Sequence, residues 1–284
     1  MKVLVFGRTG QVARALALHG GVRALDRHYA DLTDSAALKQ YIAEAEVEAI
    51  INAAAYTAVD RAESEPNLAM AINGTAPGVM ARAAAARGIP FLHISTDYVF
   101  DGSRDAPWHP RDPVAPINVY GRTKLAGEEA VRAAGGPHAI LRTAWVFSEH
   151  GSNFVRTMLR LGAERDRLNV VGDQFGGPTP ARDIADALMK MAHAMVAGQP
   201  GGTYHFAGAP HVSWAEFAQH IMAEAGLACT VNVITSAEYP TPAPRPANSR
   251  LDCSSLTTDF SIPPADWQAE LVRIVSILQK EHLA

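Results

Sequence analysis

The opening residues restrict the architecture more than any other stretch. Val3-Leu4-Val5-Phe6 is a continuous apolar run, Gly7-Arg8-Thr9-Gly10 follows it, and an alanine- and leucine-rich segment continues to Leu18. An unbroken apolar, β-prone run is the pattern of a strand buried on both faces. Strand, glycine turn and helix in that order begin a βαβ unit whose helix N-terminus attracts phosphate. Gly7 permits the tight turn, Gly10 lets the backbone approach a pyrophosphate, and Ala13 is small enough for close packing of helix on strand.

The alternation continues. Val22–Leu25 is a second strand ending at Asp26-Arg27. An acid about twenty residues past the glycine turn can accept hydrogen bonds from an adenosine ribose, whereas Arg27 suits a 2′-phosphate, so NADH and NADPH both stay open. Asp31-Leu32 either lines an adenine or forms a turn, and Thr33-Asp34 caps a helix from Ser35 to about Glu44. A strand over Val47–Ile51 leads into Asn52-Ala53-Ala54-Ala55-Tyr56, where Ala54 and Ala55 leave room for a flat ligand at the strand's carboxyl end. Glu63-Ser64-Glu65-Pro66 reads as a solvated helix junction, and a long helical stretch from Pro66 to Arg87 is interrupted at Asn73-Gly74. Phe91–Ile94 is the next strand and delivers Ser95, Thr96 and Asp97 to its end. Repeated alternation of this kind predicts an α/β fold with a doubly wound, Rossmann-like parallel sheet.

Tyr120 and Lys124 are four apart, on one face of a helix that runs to Arg132. A phenol titrates near pKa ~10, and a neighbouring ammonium is expected to lower it, so that Tyr120 exchanges a proton with a carbonyl or alcohol oxygen. Past the strand Ala139–Arg142 the alternation turns irregular. Helices are expected over 154–164, 182–196, 213–225 and 266–280, with short strands at Leu168–Val171 and Thr203–Phe206. Ser213 with Glu216 three residues on forms a capping box. The Pro-rich segment from Glu238 to Arg250 is a linker or a substrate-shaping loop. The expected division is an NAD(P)-binding Rossmann domain over 1–147, with 182–207 packing back onto it. A smaller C-terminal α/β substrate-binding region takes 148–181 and 208–284.

Composition narrows the chemistry. At 284 residues, 48% hydrophobic and 19% charged, the chain can bury a sizeable core, and its net charge of −4 offers no field for nucleic acid or an anionic membrane. No apolar run reaches membrane-spanning length, and two cysteines without a Cys-x-x-Cys spacing suit a reducing cytoplasm. No His-Glu-x-x-His, Gly-x-Ser-x-Gly or Gly-Lys-Ser/Thr motif occurs, which removes zinc hydrolase, serine hydrolase and P-loop chemistry.

The Gly7-x-x-Gly10 turn, Thr96 and the Tyr120-x-x-x-Lys124 pair together resemble the extended short-chain dehydrogenase/reductase family. The likeness extends over nearly the whole chain through Asn52–Asp60, Ser95–Gly102, Asp173–Thr179 and Arg245–Leu251. What the resemblance implies is NAD(P)H-dependent reduction of the 4-keto group of a dTDP-sugar, giving dTDP-L-rhamnose. Tyr120 would be the proton donor, Thr96 would position the keto oxygen, and Lys124 would hold the nicotinamide ribose. The cofactor, NADPH or NADH, would lie along Gly10, Gln11 and Val12, reach Asp26, Asp31 and Leu32, and cross Ala54, Ala55 and Tyr56. Asp97 and Trp145 would contact the sugar, and Arg250, on the Pro-rich loop, is a candidate for the nucleotide diphosphate. Some members form magnesium-bridged homodimers through an acid in the first helix, but Val12-Ala13-Arg14-Ala15-Leu16 has no carboxylate, so a homodimer is retained without a metal. The alternatives are a nucleotide-sugar epimerase or dehydratase and a non-catalytic regulatory binding subunit.

Overall fold

The computed structural model describes residues 1–283, with side chains described through residue 280. The first half follows the expected order: β1 (Val3–Phe6), α1 (Gln11–Leu16), β2 (Val22–Leu25), α2 (Ser35–Glu44) and β3 (Ala49–Asn52). Next come α3 (66–85), β4 (Phe91–Thr96), α4 (Val119–Ala133) and β5 (His138–Thr143). Helix α3 is built from Pro66–Met70 and Ala76–Ala85, joined by a π-turn over Ala71–Thr75. That turn lies where Asn73-Gly74 interrupts the helical pattern. Asn73 there donates to the Tyr56 carbonyl and Thr123 Oγ1 and accepts from the Tyr56 N–H.

The second half supplies α5 (Phe154–Glu164), β6 (Arg167–Val171), α6 (Ala181–Val196), β7 (Gly202–His205), α7 (Trp214–Ala225), β8 (Thr230–Ile234), α8 (Ser254–Phe260) and α9 (Trp267–Leu283). The main sheet has the order β7-β5-β4-β3-β1-β2, every neighbouring pair parallel. Both faces are buried, which is why its strands read as apolar runs. Val3, Val5, Ile51, Leu92 and Leu141 pack with Ile184, Leu188 and Met191 of α6 on one side. Leu4, Phe6, Ile50, Phe91 and Ile140 meet Leu38, Ile42 and Met80 on the other.

A separate apolar cluster joins Val155 and Met158 of α5, Leu168 of β6, Phe217 and Ile221 of α7, and Trp267 and Leu271 of α9. The Ser213–Glu216 capping box opens α7. The pairing of β8 with β6 and the helix α8 were not anticipated from the sequence. The Pro-rich segment is a docked strap, not a linker: Ala243 N and Arg245 Nη2 bond Asp60, and Asn118 Nδ2 donates to the Pro244 carbonyl. Among the described residues, no helix is long and apolar enough to cross a membrane.

Candidate active site

The carboxyl ends of β1, β3 and β4 meet at one edge of the sheet. Gly7 takes φ +103°, a conformation open to glycine, and a Cβ there would press on the Ala53 carbonyl and the Ala54 methyl at 3.3 Å. A Cβ at Gly10 would point into open space, and α1 begins there without a side-chain cap. The first helical N–H groups, at Gln11 and Val12, therefore suit a pyrophosphate. They offer backbone only. The Val12 side chain is buried in the core, and Gln11 Oε1 accepts from Ser148 Oγ and Asn153 Nδ2, both at 2.9 Å.

Asp26, at the end of β2, accepts from His28 N at 3.0 Å and lies 3.4 Å from Arg8 Nη1. Asp31 makes the bonds of a turn: its Oδ1 accepts from the N–H and hydroxyl of Thr33, and Arg27 Nε approaches Oδ2 at 3.3 Å. The Thr33 bonds, with help from Arg27, hold its carboxyl below the usual range. Leu32 packs against the core beside it. Ala54, Ala55 and Tyr56 are partly exposed at the end of β3. Tyr56 Oη donates to Glu65 at 2.7 Å and Glu63 accepts from Val119 N at 2.8 Å. The acidic turn is a partly solvated helix junction, as expected, with Ser64 and Pro66 exposed, but its two half-buried carboxylates are engaged, that of Glu63 at the start of α4.

Asn118 caps α4, accepting from Gly121 N at 2.8 Å. Helix α4 sits directly on the loop after β4, since a Cβ at Gly121 would overlap the Tyr98 carbonyl. Tyr120 and Lys124 consequently face the end of β4. The Thr96 hydroxyl acts on the Tyr120 phenol, favouring its ionised form, and Thr96 Oγ1 donates to Asp97 Oδ1 at 2.9 Å. Lys124, 2% exposed, donates to the Ile94 carbonyl at 2.7 Å and stands 3.4 Å from His93 Nε2.

The electrostatics differ from the sequence expectation. Burial pushes Tyr120 up to about 12 against the Thr96 hydrogen bond, with Asp97 adding to the rise. Lys124 does not lower it, because its near partners are Ile94 and His93. Burial pushes Lys124 itself down to about 8, opposed by the Glu128 carboxylate. Asp97 is also buried, which pushes it up to about 6 despite the hydroxyls of Ser249, on the strap, and Thr96.

Trp145 has φ 49°, a left-handed backbone that costs a bulky residue about 1–3 kcal/mol. Its ring stacks on Trp214 with centroids 3.5 Å apart, its carbonyl accepts from Thr179 N, and its indole occupies the space beside Gly176. Adjacent Phe175 carries the Arg250 guanidinium 5.7 Å from its ring centroid. Arg250 also donates to Asn248 Oδ1 at 2.8 Å and to the Asp105 carbonyl. The structure gathers Thr96, Tyr120 and Lys124 at one strand end, with Asp97 beside them, whereas Arg250 meets Asn248, Asp105 and the Phe175 ring. Sequence reasoning missed Asn73, Glu63, Asn52 and His93, whose partners are remote in the chain.

A family profile described as RmlD substrate binding domain matches residues 1–280. The chain is 46% identical to the dTDP-4-dehydrorhamnose reductase of Burkholderia thailandensis, over 94% of this chain and 96% of that one. The chain belongs to the dTDP-4-dehydrorhamnose reductase family. The family member from Sinorhizobium fredii is 44% identical, over 99% of each chain. A solved dTDP-4-dehydrorhamnose reductase from Bacillus anthracis, in complex with NADP, superposes with a TM-score of 0.91 at 33% identity, covering 98% of this chain and all of that one. The extended short-chain dehydrogenase/reductase fold expected from the sequence is the fold this family shares.

Proposed function

We propose that this chain reduces the 4-keto group of dTDP-4-dehydro-L-rhamnose to dTDP-L-rhamnose with NADPH or NADH. The observation that carries the proposal is the Thr96–Tyr120–Lys124 cluster beside the glycine turn. The reduced nicotinamide, when bound, supplies hydride to carbon 4 of the sugar.

The residues do the rest. The backbone at Gly7, Gly10, Gln11 and Val12 binds the pyrophosphate, Asp26, Asp31 and Leu32 border the adenosine, and Ala54, Ala55 and Tyr56 form the wall toward the nicotinamide. Lys124 holds the nicotinamide ribose. Burial keeps the Tyr120 phenol protonated at neutral pH, the form an acid needs. Thr96 orients the keto oxygen beside it, and the phenol proton passes to that oxygen as the alcohol forms. Asp97 and Trp145 shape the sugar site. Residues 1–147, with 182–207 packed on the sheet, form the cofactor half, and 148–181 with 208–284 form the substrate half. A cytoplasmic homodimer without a bridging metal completes the proposal; the two free cysteines suit that compartment.

Loss of reduced-nicotinamide absorbance in step with dTDP-L-rhamnose formation tests the reaction. An epimerase or dehydratase regenerates its cofactor, and a regulatory subunit binds without oxidising it, so either result removes the proposal. Arg250 is the proposed diphosphate ligand. Arg250→Ala is expected to raise the sugar-nucleotide KM about tenfold, a loss of one charged hydrogen bond, with kcat nearly unchanged. An unchanged KM in steady-state assays removes Arg250 from that role.

A further inference from the structure

Behind Lys124 lies a buried polar chain that the reaction outlined above does not use. Asn52 is 1% exposed and His93 fully buried. Asn52 Oδ1 accepts from Ala54 N at 3.2 Å, so its amide nitrogen faces the other way and meets His93 Nδ1 at 3.1 Å. That nitrogen is a donor, hence His93 Nδ1 accepts. A neutral imidazole carries one proton, which is then on Nε2. Nε2 is the atom 3.4 Å from Lys124 Nζ.

The ring stays neutral because burial, with the Lys124 charge adding to it, holds its pKa well below the usual histidine value. The groups facing Lys124 are the Ile94 carbonyl and His93 from β4 and, on its own helix, the Glu128 carboxylate. The groups facing His93 are Asn52 from β3, Lys124 from α4 and the Phe91 ring. An imidazole N–H aimed at an ammonium opposes it, whereas the same N–H can donate to an amine lone pair. Glu128 favours the ammonium; the Asn52-fixed tautomer favours the amine.

We propose that Asn52 and His93 are positioning residues for Lys124: Asn52 fixes the imidazole tautomer so that His93 turns an N–H toward Nζ, easing loss of a lysine proton in the step that restores the Tyr120 phenol after each turnover. The proton leaves Lys124 Nζ, restores the phenol, and is replaced on the lysine from solvent. This rests on Tyr120 as proton donor and Lys124 as its partner. The chain also couples the lysine to the cofactor wall, because the Asn52 orientation depends on the Ala54 N–H.

Histidine ¹⁵N NMR of the whole protein, with the His93 signal identified by its absence in His93→Gln, tests the geometry directly. The expected signal is a neutral Nε2–H ring throughout the working pH range; an Nδ1–H ring overturns the proposal. The pH dependence of kcat tests the consequence. His93→Gln can turn a carbonyl toward Lys124. Asn52→Asp accepts a proton from Nδ1 and so frees Nε2 to accept from the ammonium. Either change favours the charged lysine, and the basic limb of kcat is expected to move up by about half a unit or more. A limb that stays in place in the variant that folds overturns the proposal. Lys124→Met separates the two levels: retained kcat removes the lysine from the reaction, whereas lost kcat with unmoved limbs in the other variants removes only the Asn52–His93 role.

Discussion

Tyr120→Phe is expected to lower kcat by about 10²–10⁴-fold, the usual size of a positioned proton donor, while cofactor and sugar-nucleotide binding change little. The ring remains, so its edge-to-face contact with Tyr98, centroids 5.5 Å apart, is preserved. Only the phenol hydroxyl is lost. Burial holds that phenol at about 12 and Lys124 at about 8. The wild-type kcat is therefore expected to fall as pH rises through about 8, when Lys124 loses its proton and the phenol keeps its own. Steady-state kinetics with parallel nucleotide-binding titrations check both statements. A Tyr120→Phe variant with near wild-type kcat would assign the proton to another group.

The second large effect is on stability. Glu128 and Arg142 are 0% and 2% exposed and form two hydrogen bonds, at 2.8 and 2.7 Å. Ser95 Oγ and Arg132 add bonds to the same carboxylate, each at 2.6 Å. Burial pushes the Glu128 pKa up, but Arg142, Ser95 and Arg132 outweigh it and hold the group below its ordinary value. Arg142→Met leaves that carboxylate with weaker compensation and is expected to lower the unfolding free energy by about 3–5 kcal/mol. Adding Glu128→Leu should restore most of the loss, because an apolar pair needs no charge partner. Since the folded pKa is depressed, the contribution of Glu128 is present above its unfolded value near ~4.3 and fades as pH falls through the folded one. Denaturant melts of single and double variants at several pH values test this. Equal loss in the single and double variants would contradict the pairing account.

The parts legible in the sequence were those set by short-range pattern. Val3–Phe6 is apolar because both sheet faces are covered, and Tyr120 and Lys124 share a helix face by spacing alone. The Asn73-Gly74 interruption was visible, but not that Asn73 would tie Tyr56 to Thr123 across the π-turn. Strand β8 was missed because its side chains are largely exposed and its pairing partner is β6, far back in the chain. Helix α8 is only seven residues long, and its signals are offset from the cap position: Cys253 makes no side-chain bond, while Asp252 before it accepts from Ser254 N and the prolines begin three residues past Phe260. The prolines of the strap announced irregular backbone, yet its seat depends on Asp60 and Asn118. The sign of the Tyr120 shift failed for a related reason: burial and the direction of the Lys124 arm are tertiary properties.

The most direct measurement uses nicotinamide cofactor carrying deuterium at the transferable position, with dTDP-4-dehydro-L-rhamnose made in place by coupled dehydratase and epimerase. The expected result is one cofactor oxidised per dTDP-L-rhamnose formed, with one deuterium at carbon 4 of the sugar. Nucleotide binding without oxidation, or product formed with no net oxidation, would contradict it.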